Sequence, residues 1–280
     1  MAALRRLAQA IPVEGGYRLS GHWTFASGSH HISWFICGAL VIENGAPHMS
    51  PEGGPMMYLM FVPASEVKII DTWLTGGLRG TGSNDLEVSN VFVPERRRFA
   101  FSELLAGPQP KSELSRSQSF MLLIAPGMAA VALGIARDAI DSLKQLAQVK
   151  TPTGASSKLL TQPAVHERIG TAEAVLGSAR CYLLDAVARL DATPHPGDDL
   201  SALVRLASAH AVRASCQAVD LMYGLGGSNS VYTVNRLDRC FRDVHTVGHH
   251  VLVSHSIMEM VGQYYWASPG RCVASTLNSV

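Results

Sequence analysis

Residues 16–28 read GYRLSGHWTFASG, and the pattern of this stretch decides the fold class of the first part of the chain. Apolar and polar side chains alternate along it, as in a β-strand with one buried face, and it ends in small residues that favour a turn. Four similar runs, each bounded by Gly, Pro, Asn or Ser, follow up to about residue 105: SWFICGALVI, MMYLMFVP, VKIIDTW and LEVSNVFVP. Because no helical pattern separates these runs, we predict an antiparallel sandwich or barrel.

The hydrophobic period changes from two residues to three or four after a loop at 104–118. Four segments rich in Ala and Leu then show helical spacing: 119–149, 161–192, 200–223 and about Asn235 to Trp266. Four long helices joined by short loops are typical of an antiparallel bundle. We therefore predict an α+β chain, with an antiparallel β-domain over 1–110 and a four-helix bundle over 111–280.

Composition restricts the functions that are open to this chain. Of its 280 residues, 47% are hydrophobic and 16% are charged, which indicates a globular protein. The net charge of +1 provides no field that would attract nucleic acid or an anionic membrane. Five cysteines without CxxC spacing indicate reduced thiols. The apolar run at 120–136 contains Pro126 and two glycines and is predicted to be a buried helix, so we expect a soluble, cytoplasmic protein that binds no membrane.

Three motifs in this order resemble one protein family. GGYRLSGHWTFASGSHH (15–31) and DTWLTGGLRGTGSNDLEVSNVFVPE (71–95) resemble the middle domain of the acyl-CoA dehydrogenase superfamily. The resemblance is closest to its flavin-dependent monooxygenase branch, the oxygenase components of two-component phenol-type hydroxylases. GLGGSNSVYTVNRLDRCFRD (224–243) resembles the Gly-Gly loop and Arg-Asp helix of the superfamily. Members normally begin with a further helical domain that roofs the pocket, so we expect a fragment, a misassigned start or a natural truncation.

The segment WTFASGS is the first candidate contact with a flavin. The resemblance implies that this strand edge lies against one face of the flavin ring, with Trp23, Phe25, Ala26 and Ser27 as the contacting residues. The residue types suit that role, because small residues let a ring approach the backbone and a hydroxyl can hydrogen-bond near flavin N5. The alternative is that Trp23 and Phe25 point inward and that Ser27 begins a turn.

Two Gly-rich segments are candidates for phosphate binding. GLRGTGS lacks the spacing of a phosphate-binding loop and precedes a strand, so we predict only a turn with positive φ at Gly80 or Gly82. For GLGG, which lies between two predicted helices, the resemblance implies contact with the phosphate-bearing tail of the flavin across a subunit interface. The backbone amides of Gly226 and Gly227 would then approach the phosphate, whereas without the resemblance the segment is a helix C-cap.

The stretch FRDVHTVGHHVLVSH (241–255) places four histidines on the predicted fourth helix. His245 and His249 are four residues apart and share a helical face, whereas His250 lies about 100° further round. Because no HExxH motif or other clustered ligand set is present, we predict no metal site. In acyl-CoA dehydrogenases a glutamate base often occupies the position of Val251, which cannot take a proton. The monooxygenase branch has a histidine one position earlier, which is His250 here.

The resemblance therefore implies an oxygenase component that hydroxylates a small apolar substrate, aromatic in type. Its cofactors would be O₂ and reduced FMN or FAD from a separate reductase, acting through a C4a-hydroperoxyflavin. Ser27 would support the adduct at N5, and His250 would hold the peroxide proton. Met121, Ile124 and Met128 are predicted to line the substrate pocket. Since members are usually homotetramers, we expect a homo-oligomer.

Two other interpretations stay open at the level of sequence. An acyl-CoA dehydrogenase or oxidase could place its base on another helix, at Glu173 or Asp185. A non-catalytic remnant could fold and oligomerise without a roof over the pocket. For the monooxygenase, we predict that Ser27 and His250 face one cavity, and that His245 and His249 point elsewhere.

Overall fold

The structure is a computed structural model that describes four segments of the chain: 8–50, 54–106, 120–193 and 196–267. The chain divides into two compact units, here called the β-unit and the helical unit. The β-unit falls within 1–75 and 79–108, and the helical unit comprises 76–78 together with residues from 109 onward. The predicted order of strands followed by helices is confirmed. The tripeptide at 76–78, which belongs to the helices although strands flank it in sequence, was not predicted.

The described part of the β-unit forms one sheet of eight strands. They are β1 Gln9–Val13, β2 Gly16–Ala26, β3 Trp34–Glu43, β4 Ala46–Pro47, β5 Met57–Pro63, β6 Lys68–Ile70, β7 Asn84–Pro94 and β8 Arg98–Ala100. The order across the sheet is β6-β7-β2-β1-β3-β5-β8, with β4 on β3. One pair departs from the predicted antiparallel pattern, because the β1–β2 hairpin inserts β1 beside β3, to which it is parallel. A short helix, α1 (Phe101–Ala106), follows β8 where strand or loop was expected.

Alternating burial explains why these stretches are strands. Every second side chain of β3 from Phe35 to Val41 is buried, and β5 alternates in the same way. Strand β2 follows the pattern less regularly, because its pairing with β7 shifts register between Trp23 and Ala26. Phe25 lies in this bulge with a φ of 62°, a left-handed value that is an outlier for a bulky side chain.

The helical unit contains five helices in its described residues. They are α2 Phe120–Val149, α3 Pro163–Ala192, α4 Asp198–Gly226, α5 Arg236–Val247 and α6 His255–Ala267. Alanines recur on the buried faces of α2, α3 and α4, so these helices can pack closely around one core. Within the helical stretch Leu122–Val149, a window of 18 residues has a mean hydropathy of 1.5 and is 33% buried, which by length and composition alone would suit a membrane span. Its alanine face lies in the core of the helical unit.

The single fourth helix predicted from Asn235 to Trp266 is wrong, because α5 ends at Val247 and α6 begins at His255. The intervening residues form turns, and the amide of His250 donates to the carbonyl of Val247. This connecting segment consists largely of Gly, Val and His, all weak helix formers. His250 therefore lies in a turn between two helices.

Candidate functional site

Ser27 lies at the end of β2, where a chain of hydroxyl groups holds its side chain. Its Oγ is 2.8 Å from Oγ of Ser83, which in turn is 2.7 Å from Oγ1 of Thr81. Ser27 is exposed, whereas Ser83 is buried. The backbone supports the same arrangement, since the amide of Gly28 donates to the carbonyl of Thr81 at 2.7 Å. One side of the Ser27 hydroxyl is thus held by the protein, and the other faces outward.

Asn84, which is 1% exposed, joins the loops that carry these residues. Its Oδ1 accepts from the amides of Thr72 and Trp73 at 3.1 and 3.0 Å. Its Nδ2 donates to Nε2 of His30 at 2.9 Å and lies 3.4 Å from Oγ of Ser29. Two loops more than 40 residues apart in sequence therefore depend on one buried amide. Such a fully satisfied polar group favours a single loop conformation.

The aromatic residues of the predicted flavin platform have different environments. Trp23 packs against the core of the β-unit, and its Nε1 donates to the carbonyl of Gly38 at 2.8 Å. Phe25 is 73% exposed and makes an edge-to-face contact with Trp73 at a centroid distance of 6.1 Å. Ala26 is partly buried next to it. The exposed aromatic surface at this strand end is therefore Phe25, and the contact of Trp23 with a flavin remains a prediction.

The Gly-rich turn before β7 has the predicted positive φ at one of its two candidate glycines, so this prediction is confirmed. Gly82 has a φ of 50°, as expected of a tight turn, whereas Gly80 is not among the positive-φ residues. The turn is more than a connection, however, because it supplies Thr81 and Ser83 to the hydroxyl chain. Sequence reasoning missed this contribution, since the residues lie 54 to 56 positions from Ser27 and only strand pairing brings them together.

At the end of α4 the two predicted phosphate-binding glycines have different roles. A side chain at Gly226 would overlap Oγ of Ser230 and Leu237, so Gly226 is required for internal packing. Gly227 has a φ of 54° and lines a cavity of about 520 Å³ together with Lys150, Thr151, Ser228 and Asn229. An ideal Cβ on Gly227 would lie 3.4 Å from Nζ of Lys150, and this ammonium group donates to the carbonyl of Gly226. A cation, hydroxyls and a glycine without a side chain fit a phosphate group.

Arg242 and Asp243 bind the tripeptide Gly76–Leu78, and they do not pair with each other. The guanidinium of Arg242 pairs with Asp238 at 2.8 Å and also donates to the carbonyl of Gly76. Asp243 accepts from the amide of Leu78 at 2.6 Å. A side chain on Gly77 would overlap the backbone carbonyl of Arg242. Helix α5 therefore binds the backbone of residues 76–78. Glycine is required at position 77, because a side chain there would prevent this close approach.

His250 is half-buried, and burial lowers the pKa of its imidazole from the ordinary value of 6.5. Its Nδ1 accepts from the amide of Leu252 at 3.3 Å. Since an acceptor nitrogen carries no proton, Nε2 carries the proton of the neutral ring. The local structure thus provides a neutral imidazole that donates through one defined nitrogen. The next residue, Val251, is 69% exposed.

The other three histidines of the 241–255 stretch line a groove of about 1110 Å³ in the helical unit. Nε2 of His245 lies 2.8 Å from Oδ1 of Asp220, and His249 is exposed. His245 and His249 line this groove, and His250 is not among its lining residues. Within the described segments, no three His, Cys, Asp or Glu side chains are grouped so as to hold a metal ion.

Neither alternative dehydrogenase base has the properties of a free carboxylate. Glu173 accepts from Arg137 at 2.9 and 2.6 Å and from Lys144 at 2.9 Å. These cations lower the pKa of Glu173 to about 2, far below the range in which a carboxylate removes protons efficiently at neutral pH. Asp185 pairs with Arg189 at 2.9 Å. These contacts argue against Glu173 and Asp185 as bases for α-proton abstraction.

The predicted substrate wall lies on the first turns of α2. Met128 packs against the core of the helical unit, and Ile124 is partly buried. The side chain of Met121 lies outside the described part of the structure. On the same helix, Leu123 and Val131 are 52% and 50% exposed. The described residues thus include an apolar surface on α2, and its contact with substrate remains a prediction.

Comparison with known proteins places these features in one family. Residues 126–255 match the family described as acyl-CoA dehydrogenase, C-terminal domain. A pigment production hydroxylase from Rhodococcus is 31% identical over 92% of this chain and 67% of its own length. The oxygenase component of an FADH2-dependent resorcinol hydroxylase from Rhizobium is 28% identical over 92% of this chain and 66% of its own length. XiaF from Streptomyces, solved in complex with FADH2 and glycerol, superimposes with a TM-score of 0.83 at 23% identity, covering 95% of this chain and 68% of XiaF.

The chain therefore belongs to the acyl-CoA dehydrogenase superfamily, and within it to the branch that contains the oxygenase components of two-component flavin-dependent monooxygenases. The predicted family is thus confirmed. The chain spans about two thirds of the length of the two curated relatives, 67% and 66% respectively.

Proposed function

We propose that this chain acts as the oxygenase component of a two-component monooxygenase that hydroxylates a small aromatic substrate. It would take reduced FMN or FAD from a separate reductase and work as a homo-oligomer, most simply a tetramer, in the cytoplasm. The names of the curated relatives support this proposal, since they include a resorcinol hydroxylase that depends on FADH2.

The observation that carries the proposal is the pair of residues at 250 and 251. The resemblance implies that many dehydrogenases of this superfamily have their base at this point, and Val251 offers only an exposed hydrocarbon side chain. His250 offers a half-buried imidazole with a lowered pKa and a proton on Nε2. A neutral imidazole is suited to holding or returning a proton at pH 7.

The residues of both units suit a flavin. In the β-unit, Phe25 presents an exposed aromatic face, and Ser27 presents a hydroxyl fixed from behind by Ser83. In the helical unit, Lys150 and Gly227 line a polar cavity in which a phosphate group could bind. Lys150 was not singled out from the sequence, because a lysine after a helix has no distinguishing local pattern.

Under this proposal, Ser27, His250 and the apolar residues of α2 each have a defined role. A bound reduced flavin supplies the electrons that activate O₂. Ser27 hydrogen-bonds the flavin at N5 through its outward side, and His250 holds a proton on Nε2 for the reaction. The apolar residues of α2 exclude water from the substrate.

The proposal is tested by supplying the chain with FMN, NADH and a separate flavin reductase, and measuring hydroxylated phenol per NADH. Wild type is expected to form product, and His250→Ala is expected to form H₂O₂ in its place while NADH consumption continues. His249→Ala is the matched control, because this neighbouring imidazole is exposed. Equal coupling in the two variants would remove His250 from the mechanism. A wild-type chain that binds no flavin would overturn the proposed function.

A second measurement addresses the phosphate end directly. Replacing Lys150 by Met keeps the length of the side chain and removes its charge. We expect affinity for FMN to fall about tenfold, the cost of one charge-assisted hydrogen bond, while affinity for riboflavin, which lacks phosphate, stays unchanged. Lys158→Met serves as the control, since Lys158 does not line this cavity. An equal loss for both ligands would place the phosphate elsewhere.

A further inference from the structure

The hydroxyl groups of Ser27, Ser83 and Thr81 form a continuous chain with a limited set of proton arrangements. Each hydroxyl has one hydrogen to donate, so the buried Ser83 can donate to only one of its two hydroxyl neighbours. If Ser83 donates to Ser27, then Thr81 donates to Ser83, and the hydrogen of Ser27 is available to point outward. If Ser27 donates to Ser83, then Ser83 is free to donate to Thr81, and Ser27 presents only lone pairs to the outside.

This chain is built into the β-unit. Ser83 is 5% exposed, and its Oγ lies 2.8 Å from Ser27 and 2.7 Å from Thr81. The backbone on both sides is fixed, since Gly28 donates to Thr81 at 2.7 Å and the hydroxyl of Ser29 donates to the carbonyl of Gly82 at 2.9 Å. Because both loops are held, Ser83 remains the inward partner of Ser27 in either proton arrangement.

We propose that Ser83 is a positioning residue whose hydroxyl lets Ser27 change from donor to acceptor as the bound flavin changes redox state. The inference rests on the proposed function, in which Ser27 contacts flavin N5. In an oxidised flavin N5 is an acceptor, so Ser27 must donate. In a reduced flavin N5 carries a hydrogen, so Ser27 must accept and pass its own hydrogen inward. Ser83 is the group that receives this hydrogen.

Removing the Ser83 hydroxyl is expected to weaken the binding of reduced flavin more than the binding of oxidised flavin. In Ser83→Ala, Ser27 can still donate to the oxidised flavin, and it loses only a contact to one of its lone pairs. When it accepts from the reduced flavin, its own hydrogen is left without a partner, which costs more than an unused lone pair. We therefore expect affinity for reduced FMN to fall about threefold to tenfold more than affinity for oxidised FMN, the worth of one ordinary hydrogen bond.

The experiment measures dissociation constants for oxidised FMN and, without oxygen, for dithionite-reduced FMN. The variants are Ser83→Ala, Ser27→Ala and the double variant. If Ser83 acts through Ser27, its effect on the ratio of the two constants disappears in the Ser27→Ala background. Ser89→Ala is the matched control, because Ser89 is an exposed serine of strand β7 that does not belong to the chain of hydroxyl groups. Ser83→Thr, which keeps the hydroxyl, is expected to restore the wild-type ratio.

The outcomes separate the two proposals. If the wild-type chain binds neither form of FMN, the proposed function fails and the inference fails with it. If wild type binds both forms and Ser83→Ala leaves the ratio unchanged, only the role of Ser83 is overturned. If Ser83→Ala shifts the ratio equally with and without Ser27, the serine acts by another route and the relay is wrong. Circular dichroism of each variant distinguishes these outcomes from misfolding, and Ser83→Thr provides the folded comparison.

Discussion

In the β-unit, the candidate residues lie on loops that buried polar side chains hold in place, whereas in the helical unit they lie where regular packing stops. Ser27 is fixed by Ser83, and the neighbouring loops are fixed by Asn84. His250, in contrast, lies in a turn between α5 and α6, where its ring accepts at 3.3 Å from the amide of Leu252. The difference indicates that the β-unit provides a preorganised surface around Ser27. In the helical unit, the position of the His250 side chain depends on the short turn between α5 and α6.

Gly77→Ala is expected to have the largest effect and tests how firmly the helical unit binds its distant tripeptide. The new methyl group would overlap the backbone carbonyl of Arg242, which cannot move without disturbing α5. We expect the free energy of unfolding to fall by about 3 kcal/mol, the upper part of the range for overpacking. Gly76→Ala is the control, because a methyl group there meets nothing within 4 Å. Equal denaturation midpoints for the two variants would show that α5 does not hold the tripeptide.

Asn84→Ala tests the polar framework of the β-unit. The substitution removes the Asn84 oxygen that accepts from the amides of Thr72 and Trp73 at a partly buried site. We expect a loss of about 2 kcal/mol in the free energy of unfolding, together with faster hydrogen exchange at these amides. Ser89→Ala, at an exposed position of the same strand, should change neither quantity. Unchanged exchange at Thr72 and Trp73 would contradict the view that Asn84 organises the loops.

Glu173→Gln tests the ion pairs between α2 and α3. The pKa of Glu173 is lowered to about 2 by Arg137 and Lys144, so its contribution is complete above its ordinary value of 4.5 and is lost as pH falls toward 2. Because the carboxylate is 36% exposed, solvent screening reduces the contribution to about 1 kcal/mol. Wild type should be more stable than the variant at pH 7, with the gap closing between pH 4.5 and 2. A difference in stability that does not depend on pH would contradict this prediction. Glu66→Gln, at an exposed site of the β-unit, is the control variant.

His250→Gln should have the smallest effect and sharpens the contrast between the two units. Burial lowers the pKa of His250, so the unfolded chain binds its proton more readily than the folded chain. Wild type should therefore lose stability relative to the variant as pH falls below 6.5, and the two should behave alike above it. Thermal unfolding between pH 8 and pH 5 measures this difference. A constant difference across that range would mean that the imidazole is equally hydrated in both states.

Hydrophobic patterns predicted the secondary structure correctly where the local sequence determines it. Alternation along β3 and the alanine spacing of α2 predict strand and helix, because the buried face repeats with the period of each element. The break after Val247 was missed, because a hydrophobic period continues through residues that are weak helix formers. Asn84 and Lys150 were also missed, since their partners are distant in sequence. The prediction of Ser27 and His250 as site residues came from family resemblance. The structure adds their hydrogen-bond partners, which are Ser83 and the amide of Leu252.

The left-handed backbone of Phe25 has a consequence for any attempt to improve this protein by selection. An aromatic residue at a φ of 62° costs roughly 1–2 kcal/mol of stability, and its ring gains little burial in return at 73% exposure. A library screened only for melting temperature would therefore enrich glycine or asparagine at this position. Heat-resistant variants obtained in that way would have lost the aromatic ring that the strained bulge exposes.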